Sequence, residues 1–154
     1  MPNLSAVVAA ARRLNEQKED EALYVLIGMR EKAVANEPAL KDDPEFEVVY
    51  AEPTMGPLDD LKRLGKRITN RWSKELFAIV CGNEDKDAEI REALRNSLSL
   101  GEAAVIAAVA GALISLGVGA AIAAPLAPLL VRRFIWPAKD ELCEAWGEAI
   151  ENDS

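Results

Sequence analysis

Ala103-AVIAAVAGALISLGVGAAIAAPLAPLL-Val131 is the stretch whose reading decides the fold. It runs for 29 residues without a charged side chain, and Ser115 is its only conventionally polar member, in a chain that is 29% charged. Apolar surface on that scale has to leave water, either into a protein core or into a bilayer. Gly117, Gly119, Pro125 and Pro128 interrupt the run. It therefore reads as a hairpin of two helical arms of about 15–17 residues, each short of the roughly 20 needed to cross a bilayer.

The first arm is patterned by size. Ala103, Ala107, Gly111 and Ser115 recur every four residues beside Ala104, Ala108 and Ala112, while Val105, Val109 and Leu113, with Ile106 and Ile114, form the bulky side. Small residues at this spacing let helix backbones approach closely, in membranes and in tight soluble bundles alike. Ser99 and Glu102 have capping-box spacing and predict the start of this helix. Gly117-Val-Gly119 predicts its end. The second arm is expected to resume near Ala120 or Pro125 and to run to Trp136; Pro125 fits best, because proline is tolerated in a helix's first turn.

The remainder reads as amphipathic helices. Leu4, Val7, Val8, Ala11 and Leu14 share one helical face, and Leu23, Leu26, Ile27, Arg30 and Val34 another, making an N-terminal hairpin within residues 1–40. This hairpin is similar to a single tetratricopeptide unit at Ala10 and Ala22. It lacks that repeat's tryptophan, leucine-glycine and tyrosine positions, and no second copy follows, so it is an ordinary helical hairpin. Residues 45–50 alternate briefly, but a lone strand has no partner, and a short helix starting at Pro44 is expected instead. Residues 57–98 carry two helices. The first has Leu61, Leu64, Ile68, Trp72, Leu76, Ile79 and Val80 as inward positions and ends at Gly82. A C-terminal amphipathic helix, 138–151, presents Leu142, Cys143, Trp146 and Ile150. The expected fold is a single all-α domain over 1–154, about seven helices around the hairpin 99–136.

Charge and composition exclude more than they assign. A net charge of −8 opposes nonspecific nucleic-acid binding, so no nucleic-acid partner is expected. The chain has no histidine, which removes the commonest general base and metal ligand. The acidic cluster Glu84, Asp85, Asp87, Glu89 and Glu92 lacks calcium-loop spacing and suits a helix start. No phosphate-binding glycine motif is present. These observations predict no enzyme, no cofactor, no metal and no catalytic residue. Cys81 and Cys143 are too few for a disulfide framework and Met1–Leu14 lacks the features of a secretory signal, so two reduced thiols in a cytoplasmic protein are expected.

Candidate contact residues lie in two places. Lys62, Arg63, Lys66, Arg67, Arg71 and Lys74 form a basic stripe beside Trp72, and Arg132 and Arg133 follow the apolar run directly. Either group can meet an acidic protein or an anionic membrane; the stripe can also pair with this chain's own Glu16–Glu21 segment. Trp136 suits both a core and a membrane interface. The leading expectation is a bacterial-type adaptor or regulatory subunit with the hairpin, including Val105, Val109 and Leu113, as buried core and a protein as partner. A homo-oligomer is compatible with this. The alternative is a membrane-active or pore-forming effector, peripheral to or inserted in the inner membrane, whose hairpin 103–131 enters the bilayer. Pore-forming colicin domains and Bcl-2-like proteins resemble this plan in architecture only, since none of their motifs occurs here.

Overall fold

A computed structural model describes residues 3–153; Met1, Pro2 and Ser154, within the expected domain limits, lie outside the described residues. The fold is an all-α, single-domain bundle. Its α-helices among the described residues are α1 (Leu4–Gln17), α2 (Asp20–Asn36), α3 (Glu52–Met55), α4 (Leu58–Val80), α5 (Ala88–Ser97), α6 (Glu102–Ser115), α7 (Ala120–Leu130) and α8 (Leu142–Asp153). That is one more than expected, because the turn-rich linker at 52–57 closes a single helical turn, α3. Short 3₁₀ turns occupy Pro38–Asp42, Asp85–Asp87 and Leu98–Leu100, and a π-helical turn, Val131–Ile135, extends α7.

The middle of the bundle is α7, whose eleven residues are all buried. It packs against α1, α2 and α6. Its partner α6 is buried on one side only. Val105, Ile106, Val109, Ala110, Ala112 and Leu113 enter the core, whereas Ala103 and Ser115 are exposed and Ala104, Ala107, Ala108 and Gly111 half-buried. The hairpin therefore contributes one central arm and one surface arm. It turns where the glycines predict: Gly117 takes φ +92°, Val118 N–H donates to Leu113 O at 2.9 Å and Gly117 N–H to Ile114 O at 3.0 Å. This is the Schellman arrangement that closes a helix C-terminus.

The structure corrects the expected start of the first arm and, for the second, takes the Ala120 start over the favoured Pro125. Gly101, not Ser99, occupies the N-cap of α6 at φ +106°, with no side-chain cap, and the Ser99 hydroxyl donates to Asn96 O at 3.2 Å. Helix α7 begins at Ala120, so Pro125 and Pro128 lie inside it. A proline at position i supplies no N–H to the carbonyl at i−4. Pro125 thus leaves Ala121 O without its helical donor, and Arg30 of α2 donates to that oxygen from Nη1 at 2.9 Å. A buried arginine from another helix replaces the hydrogen bond that the proline removes.

Helices α2 and α4 cross on two glycines. A Cβ on Gly28 would sit 2.2 Å from Leu61 O, and one on Gly65 would sit 2.0 Å from Tyr24 O. The buried row of α4 is accordingly Leu61, Gly65, Thr69, Ser73, Leu76 and Val80. This corrects the expected inward face: Leu64, Ile68 and Trp72 sit at its margin, half-buried. The polar members of the row are satisfied locally. Thr69 Oγ1 donates to Gly65 O at 2.8 Å, and Ser73 Oγ accepts from the Trp146 indole at 3.0 Å.

Two further expectations fail. Cys81 and Cys143 are joined in a disulfide that ties the end of α4 to the first turn of α8, across a sequence separation of 62. The pair was invisible to spacing arguments because it depends on where α8 returns. Residues 45–50 form no helix. They run as an extended strap over α1 and α2, with Phe46, Val48 and Tyr50 half-buried and Glu45, Glu47 and Val49 exposed.

Candidate functional site

Helix α4 carries its cations on the side opposite the glycine crossing. Arg63, Lys66, Arg67, Arg71 and Lys74 are exposed and Lys62 is half-buried. The geometry follows from helical spacing: Arg63, Arg67 and Arg71 recur every four residues, and Arg63 to Lys74 spans about 16 Å along the axis. Lys62 is engaged within the fold, bound to Glu21 at 2.8 Å across the α2–α4 seam. Its hydrogen bond and charge hold the Glu21 carboxyl below the usual carboxylate range. Arg63 pairs with Asp60 at 2.5 Å, one turn earlier. The Lys66 ammonium lies 5.6 Å from the centre of the Tyr24 ring and the Arg71 guanidinium 5.4 Å from that of Trp72.

The N-terminal half of this face opens into a surface groove of about 770 Å³ between α4, the α3 turn and the end of α2. Lys32, Arg63, Lys66 and Arg67 line it together with Thr54 and Asn70, against two carboxylates, Glu52 and Asp60. Two helices thus converge four cations on one concavity of an acidic protein. Lys32 belongs to it and was not singled out from sequence, because α2 is close to electroneutral when read alone.

Arg132 and Arg133 do not join the stripe. The π-helical turn aims Arg132 into the α1–α2 connection, where Nε donates to Asn15 Oδ1 at 2.8 Å, Nη1 contacts Asp20 Oδ1 at 3.2 Å, and Nη2 donates to Asn15 O. Arg133 reaches Asp20 Oδ2 at 3.8 Å. These cations close the fold: Arg132 keeps only 22% side-chain exposure. Trp136 is half-buried against the core, with the Lys139 ammonium 4.2 Å from its ring centre. Val105, Val109 and Leu113 are fully buried. Among the described residues no helix is long and apolar enough to cross a membrane, and no acidic or cysteine cluster is arranged to hold a metal.

The second feature is the buried guanidinium of Arg30, 5% exposed. It donates to Ala121 O, to Pro44 O at 2.9 Å and to Phe46 O at 3.3 Å, and lies 5.1 Å from the centre of the Phe46 ring. Burial pulls it down to about 10, with Asp43 opposing the shift, so it stays charged at neutral pH. It fastens the 44–46 end of the strap to α2 and α7 at once. Sequence periodicity places Arg30 on the inward face of α2; its role depends on Pro125, which is remote in sequence. Comparison with protein-family models, with curated proteins and with solved structures finds no match to this chain.

Proposed function

We propose that the chain is a non-enzymatic protein-interaction module, an adaptor or regulatory subunit, whose α4 face docks an acidic segment of a partner protein. The observation that carries this is the convergence of Lys32, Arg63, Lys66 and Arg67 on one groove in a protein of net charge −8. Such a field attracts carboxylates and speeds their encounter, while the acidic remainder repels competing surfaces. The hairpin serves as scaffold, with α7 holding α1 and α2 in place. The expected cytoplasmic location rested on two free thiols and on the features of Met1–Leu14; the Cys81–Cys143 disulfide removes the first ground and favours an oxidising setting as the place of action.

A membrane-active effector is the second reading. What favours it is the outer side of α6, uncharged from Ala103 to Ser115, with Leu100 at its N-terminal end 75% exposed and Leu4 beside Gly111 46% exposed. One experiment separates the two. Binding of a glutamate-rich peptide is followed by fluorescence anisotropy, in parallel with cosedimentation on phosphatidylserine vesicles. The adaptor reading expects salt-sensitive peptide binding that Arg67→Glu with Arg71→Glu abolishes. Vesicle binding without peptide binding supports the effector, and binding to neither overturns both.

A further inference from the structure

The strap over residues 44–50 differs from the α4 groove in charge and in backbone geometry. Its ends are extended, with Asp43 at φ −99°, ψ 106° and Ala51 at φ −140°, ψ 101°. Between them exposure alternates residue by residue: Pro44, Phe46, Val48 and Tyr50 are half-buried, while Glu45, Glu47 and Val49 are exposed. That is the period of an extended chain lying on a surface. In such a chain the N–H and C=O of one residue point to the same edge, and those of its neighbours to the other. Arg30 holds the carbonyls of Pro44 and Phe46, so the even-numbered edge faces the body of the fold. The odd-numbered edge, Glu45, Glu47 and Val49, faces away from it.

That edge is open. Glu45 N–H is turned back onto Asp43 Oδ1 at 2.9 Å. Among the described residues the N–H and C=O groups of Glu47 and Val49 join no backbone partner. Val49 is 83% exposed. An extended segment with unpaired backbone groups is a template for strand addition. The occupant follows from charge. Glu45 is paired with Arg13 of α1, so Glu47 is the outward carboxylate of this edge, and Asp42, Asp43 and Glu52 are exposed around it. Antiparallel pairing with a second copy of this segment would set these acidic side chains against one another, which is unfavourable. A strand carrying lysine or arginine meets Glu47 and the carboxylates around it, competes with Arg13 for Glu45, and supplies the missing hydrogen bonds.

We propose that the Glu45–Val49 edge binds an extended basic peptide by adding it as a strand. The probe is a fluorescein-labelled heptapeptide, Lys-Val-Lys-Thr-Lys-Val-Lys, and a second version N-methylated on alternate amides, which keeps every charge and removes the donors. Fluorescence anisotropy with the full chain is expected to show binding that N-methylation weakens about tenfold or more, the worth of one or two hydrogen bonds. Val49→Pro removes a donor from the open edge and should weaken the unmodified peptide to a similar extent, whereas Val49→Thr should not. Both variants should keep the parent melting temperature, since this side chain and its N–H are outside the packed fold. Equal binding of the two peptides, or no binding of either, overturns the proposal.

Discussion

The pairing of Arg30 with Pro125 makes a quantitative prediction about two residues far apart in sequence. Pro125 deprives Ala121 O of its helical donor, and Arg30 Nη1 supplies a replacement at 2.9 Å. Replacing Arg30 by methionine removes that hydrogen bond together with those to Pro44 O and Phe46 O, and also removes the cost of burying the guanidinium. These effects oppose each other, so the single substitution alone does not isolate the Ala121 bond. The coupling does. In Pro125→Ala the new N–H at residue 125 can satisfy Ala121 O within the helix, and Arg30→Met then leaves no orphaned carbonyl there. An unsatisfied buried acceptor costs about 1–3 kcal/mol. The double-mutant cycle is therefore expected to show a coupling of about 1–2 kcal/mol, with Arg30→Met less damaging in the Pro125→Ala background. The assay is urea unfolding of the four proteins, compared at constant denaturant slope. Additivity to within about 0.5 kcal/mol would refute the assignment, because independent sites behave that way.

Three further outcomes follow from particular contacts. Reduction of Cys81–Cys143, whose sequence separation is 62, should remove about 4 kcal/mol by chain entropy and lower the melting temperature by about 10 °C, read by calorimetry with and without reductant. Gly65→Ala places a Cβ 2.0 Å from Tyr24 O and should cost about 3 kcal/mol or more by forcing α2 and α4 apart, measured by urea unfolding. The Glu21 carboxyl, held low by Lys62, contributes stability that is present above the ordinary carboxylate range and lost as pH falls through its lowered value. Lys62→Gln should accordingly be less stable than the parent at neutral pH and converge with it in acid, followed as the urea midpoint against pH.

What could be read from the chain, and what could not, divides along the range of the interactions involved. The Gly117 helix stop and the inward side chains of α8 were legible because caps and helical periodicity are local. So was the α4 stripe, whose members share a face by spacing alone. The inward face of α4 was misread because counting large apolar residues selects Leu64, Ile68 and Trp72. The structure instead buries Gly65, Thr69 and Ser73: Gly65 admits the α2 backbone at Tyr24, and Ser73 takes the Trp146 indole of α8. The size stripe of α6 suggested a close helix crossing that occurs elsewhere, at Gly28 and Gly65. Of the two starts offered for α7, Pro125 was favoured over Ala120 because nothing local compensates a proline in mid-helix; Arg30 does so from another helix. Alternation at residues 45–50 did predict an extended chain, and the absence of a strand partner led to the wrong choice. The groove needed Lys32 brought to α4, and the internal use of Arg132 needed the α1–α2 connection folded against the π-helical turn.

The central claim is that the apolar hairpin is scaffold, with α7 at its centre, and that function lies on the surface. Hydrogen–deuterium exchange of Ala120–Leu130, with and without phosphatidylserine vesicles, tests it most directly. The amides of this segment that are hydrogen-bonded in α7 should exchange only through global unfolding, as expected for the most deeply buried unit of a fold, and their protection should be the same in both conditions. Loss of that protection on adding vesicles, while α2 and α4 remain protected, would show the hairpin leaving the bundle and would contradict the account.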